Sequence, residues 1–215
     1  MSTTFPNVKK GLKLIGAALI VTLVSSLLYL LSVYLGTNKE GDITGTWAIF
    51  WRISYFVLLA CDIAFLVGMF IASKDETFSF KNAFYEEISQ IFFTLVAILL
   101  AFIPGNFCRF LSSIILAFVT VGQMFITTQL ISGCYEVTQK FAGFCRVGII
   151  LTFVMFFVEI IAKNYVVVLA ALGDKAESVS SSGFMVGFLI FAILAELFCY
   201  LFSAIYVFKT EKALN

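Results

Sequence analysis

Apolar positions along this chain fall into six long blocks parted by short polar segments, without the charged outer face that a soluble helix carries. A helix needs about 20 mostly apolar residues to cross about 30 Å of hydrocarbon. That length predicts spans over about 12–35, 48–73, 87–103, 110–133, 147–172 and 184–208. The breaks carry turn chemistry. Two long polar loops run from Gly36 to Gly45 and from Gly173 to Gly183, and Pro104-Gly105-Asn106 is a tight-turn signal. Residues 74–82 return to water, and a short amphiphilic link covers 136–146. The pattern predicts an all-α integral membrane protein, a single transmembrane domain over 1–215. In it a bundle of about six transmembrane helices is arranged as three hairpins.

Basic residues near span ends set the orientation. With the N-terminus inside, Lys9, Lys10, Lys13, Lys74, Lys81, Lys140, Arg146, Lys209 and Lys212 gather on the cytoplasmic side, so both termini are expected there. The opposite side receives Lys39, Arg52, Arg109, Lys175 and Lys163. Residues 14–38 hold no charge, a run too long for the roughly 7–15-residue core of a secretory signal, so it is read as a retained first span. The inner ends of spans two, four and six look loosely alike, which would fit parallel hairpin repeats about an axis along the membrane normal.

Composition narrows the chemistry. Charged residues make up 13% of the chain, about half the usual share of a soluble domain, and the net charge is +1, so no nucleic-acid partner follows. There is no histidine, which removes His-ligated metals and Ser-His or Cys-His nucleophiles. The five cysteines are widely spaced and read as small buried apolar side chains. No Gly-rich phosphate loop or HExxH pattern occurs, so neither a cofactor nor an enzymatic activity is expected.

Against this background, Asp62, Gln123, Glu159 and Glu196 stand near the centres of their spans. A carboxylate there costs roughly 2.5–3.5 kcal/mol on insertion scales, and is a site candidate by default. Helical spacing stacks Glu196 with Tyr200 and Ser203, Thr120 with Gln123 and Thr127, and Glu159 with Lys163. Lipid cannot satisfy such stripes, so they are expected to turn inward around a polar cavity bounded by Asp62, Gln123, Glu159, Glu196, Lys163 and Tyr200. Glu159 and Lys163 lie in the favourable i,i+4 order and could also bridge each other. Glu86-Glu87 reads as a carboxylate pair at the start of the third helix, favoured by its dipole. Gly183 and Gly187 have the spacing of a packing notch.

The resulting expectation is a small transporter, channel or solute-binding component of the plasma membrane, sitting in a lipid bilayer. Its polar cavity would take a small cation, a proton or a polar solute. The alternative is a non-catalytic accessory subunit of a larger membrane-protein partner.

Overall fold

The structure, a computed structural model, describes residues 5–36, 45–103, 106–172 and 183–214. The expected polar loops and the Pro104-Gly105 turn lie outside these residues, as do the side chains of Lys163 and Arg109 and the packing around Gly187. Six helices make up almost all the rest: α1 (Pro6–Gly36), α2 (Gly45–Ser73), α3 (Phe78–Phe102), α4 (Asn106–Thr138), α5 (Ala142–Leu172) and α6 (Gly183–Ala213). Among the described residues, five of them, all but α3, are long and apolar enough to cross a membrane. The protein is a multi-pass, all-α membrane bundle.

Helices run further than the hydropathy blocks. The 136–146 link shrinks to three residues, because α4 continues to Thr138 and α5 begins at Ala142. Likewise α3 starts at Phe78, so Glu86 and Glu87 lie more than two turns inside it rather than at its N-terminus. Hydropathy marks where a helix meets lipid, whereas hydrogen bonding decides where it starts. Thr77 at the α3 N-cap makes no side-chain capping bond. Glu136, from the end of α4, serves instead: its carboxylate accepts the backbone N–H groups of Phe78 and Ser79, each at 3.1 Å. Asp75, in the turn after α2, does the same for α1, accepting from Val8 N at 2.8 Å and Asn7 N at 2.9 Å. Both carboxylates meet the exposed N–H groups and positive dipole end of a helix.

These contacts also fix the topology. The start of α1 lies beside the end of α2, the start of α3 beside the end of α4, and Lys13 Nζ of α1 approaches Glu211 Oε1 of α6 at 3.8 Å. Lys209 of α6 stands 3.8 Å over the Phe144 ring near the start of α5. One face therefore gathers the first residues of α1, α3 and α5 and the last of α2, α4 and α6. It is the face that carries the basic cluster predicted to be cytoplasmic.

Around the bundle each helix packs on its neighbours in sequence, α6 closes the ring on α1, and α4 also reaches α6 across the middle. The α1–α2 pair is the most extensive, while α2 and α3 touch least of the sequential pairs. Gly11 and Gly68 explain the first: a Cβ on Gly11 would lie 2.5 Å from the Gly68 carbonyl oxygen, so the two backbones are in direct contact. The core beneath them is Val8, Leu12, Ile15, Met69, Phe80, Leu130 and Tyr206. Large apolar side chains such as Phe56, Phe92, Phe118, Ile150 and Phe157 point outward. That is the reverse of a soluble core and the surface a bilayer requires.

Candidate functional site

Several polar residues of the spans bind neighbouring helices. Ser112 Oγ of α4 donates to the Ala97 carbonyl of α3 at 2.7 Å, and Gln90 Nε2 of α3 to the Val119 carbonyl of α4 at 2.8 Å. The Gln90 amide lies across Gly122, where a Cβ would collide with it. These bonds hold α3 at a fixed register on α4, with Glu87 one turn from Gln90 and facing inward.

There Glu87 lines a chamber of about 40 Å³ together with Asp62 of α2, Gln123 and Thr127 of α4, Thr22 of α1, and Tyr200 and Ser203 of α6. Counted along the helices at 1.5 Å per residue, these groups stand roughly 14–24 Å from the basic face, near the middle depth of a bilayer core. The volume suits an ion or a few waters and is far too small for a metabolite.

Tyr200 is the hub of one wall. Its hydroxyl lies 2.9 Å from Gln123 Oε1 and 3.1 Å from Glu196 Oε1. One phenolic proton cannot serve two acceptors. Turning the Gln123 amide over, which leaves its shape unchanged, lets it donate to the phenol while the phenol donates to Glu196. The opposite wall is different. Glu87 is 6% exposed and lines the chamber, and among the described residues no hydrogen bond or ion pair engages its carboxylate. Ser203, 1% exposed, has a buried hydroxyl without a partner. Among the described residues no Lys or Arg lines the chamber. Two carboxyls and a hydroxyl without a hydrogen-bond partner thus face this void.

Asp62 itself is exposed and lies on the open side of the chamber. Where α2 and α3 part, a groove of about 390 Å³ runs between them, walled by Leu58, Leu59, Ile63, Ile91 and Leu95. Asp62, Glu87 and Gln123 belong to both spaces.

Of the residues expected to bound a cavity, Asp62, Gln123 and Tyr200 line the chamber, and Glu196 joins it through Tyr200. Glu159 is buried on α5 and stands outside the lining, within Coulombic reach of Tyr200. Lys163 is helical, but its side chain lies outside the described residues. Glu87 and Gln90 were not expected at the site. The signal for them was present in the i, i+3, i+7 spacing of Glu87, Gln90 and Thr94, all three of which reach the groove. Among the described residues no group of His, Cys, Asp and Glu has the arrangement of a metal site. In comparison with known proteins, no family model, no curated protein and no solved structure matches the chain.

Proposed function

We propose that the protein is a small membrane transporter or channel component that binds a monovalent cation, either an inorganic ion or an ammonium group, between Asp62 and Glu87. The observation that carries this reading is the pairing of two carboxyls on one small mid-depth void that no protein cation enters among the described residues. Two acids sharing such a space without a counter-ion repel each other and lack hydration, so a cation or a proton between them recovers energy on both counts. Tyr200 and Gln123, held by one another and by Glu196, supply a pre-set polar wall, and the free Ser203 hydroxyl supplies a further ligand.

The test is thermal unfolding of the purified protein in nanodiscs against sodium, potassium, ammonium, methylammonium and pH, beside Asp62→Asn and Glu87→Gln. Stabilisation by a cation in the wild type, lost in both variants while each remains folded, supports the reading. A protein indifferent to every cation, or variants that respond as the wild type does, refutes it. Uptake into liposomes loaded against a gradient of the stabilising cation then separates a carrier or channel from a binding component.

A further inference from the structure

The α2–α3 groove gives the chamber an exit that faces the lipid rather than either aqueous side. On the strength of the cation-site reading, we propose that the ligand is an amphiphilic amine that enters sideways from the bilayer, with its ammonium head between Asp62 and Glu87 and its hydrocarbon tail along the groove.

Four features argue for this occupant. The chamber, at about 40 Å³, admits a head group and nothing larger, whereas the groove, at about 390 Å³, has the size of a small-ligand site. Apart from Gln90 and Thr94 the groove's walls are aliphatic, and its inner end is acidic, so its polarity changes along its length as that of an amphiphilic cation does. The inner end is not a cluster of acids alone: Glu87 is buried and lines the void with no hydrogen bond or ion pair among the described residues, and the Ser203 hydroxyl, with no hydrogen-bond partner among them, lines the same void. Finally, an ammonium group brings three N–H donors, matching the acceptors Asp62, Glu87 and Ser203. A fatty acid or a neutral lipid would bring either the wrong charge or none.

The experiment uses the full chain in nanodiscs and a dodecylamine carrying a mid-chain diazirine. Labelled residues are mapped by mass spectrometry, and unlabelled dodecylamine, dodecanol and methylammonium serve as competitors. The expected result is labelling concentrated at Leu58, Leu59, Ile91 and Leu95, displaced by dodecylamine at about tenfold or more lower concentration than by methylammonium. Dodecanol is not expected to displace it. Labelling should fall to background in Asp62→Asn, and Leu95→Trp, at a lipid-facing position, should shrink the advantage of the amine over methylammonium. Four outcomes overturn the proposal. If methylammonium stabilises the protein through Asp62 and Glu87 while the photoprobe scatters over the outer surface, the cation site stands and the lateral route falls. Labelling that dodecanol displaces, or that survives Asp62→Asn, marks unspecific partition. Exclusion of the probe by a co-purifying membrane protein assigns the groove to a partner helix. If no cation or amine binds at all, the functional reading fails first and the route with it.

Discussion

Tyr200 of α6 and Gln123 of α4 meet across the bundle axis at 2.9 Å, and Tyr200 also reaches Glu196 one turn back on its own helix. This three-residue chain ties α6 to α4, a pair of helices that touch without being neighbours around the ring. Tyr200→Phe removes the hydroxyl and leaves an amide and a carboxyl behind. The expected loss is about 1–3 kcal/mol. A double-mutant cycle with Gln123→Leu should return a coupling of roughly 0.5–3 kcal/mol, read from chemical unfolding. A coupling near zero would mean that the two side chains do not act together.

Asp62 and Glu87 should show the opposite sign. Neither has a cationic partner among the described residues; Glu87 is buried and Asp62 is exposed on the groove at mid-depth, so Asp62→Asn and Glu87→Leu remove charge that hydrocarbon cannot solvate. Each is expected to raise the unfolding temperature of the ligand-free protein, by a gain on the order of 1–3 kcal/mol, while abolishing the cation response. Destabilisation of the ligand-free protein by both substitutions would show that the carboxyls brace the bundle instead.

The α1 cap offers a separate test at the basic face. Asp75→Ala strips the acceptor from Asn7 N and Val8 N, and should cost about 0.5–2 kcal/mol, with faster hydrogen exchange at those amides. Asp75→Asn keeps an acceptor oxygen and should cost less. Equal losses in the two variants would point to charge rather than capping as the stabilising factor.

Two glycines predict contrasting results. A Cβ on Gly68 would stand 2.7 Å from Ile15 Cγ1 and 3.1 Å from the Gly11 carbonyl oxygen, so Gly68→Val must push α1 and α2 apart. A loss of about 1–3 kcal/mol, or misassembly, is expected. At Gly143 an added Cβ meets nothing within 4 Å. Gly143→Ala should be neutral or stabilising by up to about 0.5 kcal/mol. The comparison is read from the two melting curves side by side.

Much of this bundle is legible in the order of its residues. Six apolar blocks give six helices, and the uneven placement of lysines foreshadows the face where the starts of α1, α3 and α5 meet the ends of α2, α4 and α6. Asp62, Gln123 and Tyr200 announce themselves because a polar group inside an apolar block has no inexpensive place except the interior. Glu87 was hidden by its position at the edge of such a block, where a carboxylate looks like the start of a helix. The acceptor that lets α3 begin further back, Glu136, is far away in the chain, and no local pattern reports it. The groove was equally hidden, since its existence depends on how two helices diverge and not on what either contains.

Asp75 and Glu136 have a mechanical consequence. The first pins the α2–α3 turn to α1, and the second pins the head of α3 to α4, so this end of the seam is held from both sides. The direct backbone contact at Gly11 and Gly68 makes α1 and α2 one leaf, and the Gln90 and Ser112 bonds make α3 and α4 another. Two stiff leaves joined at one end open like a book: the gap between them widens with distance from the spine, and the pages need not bend.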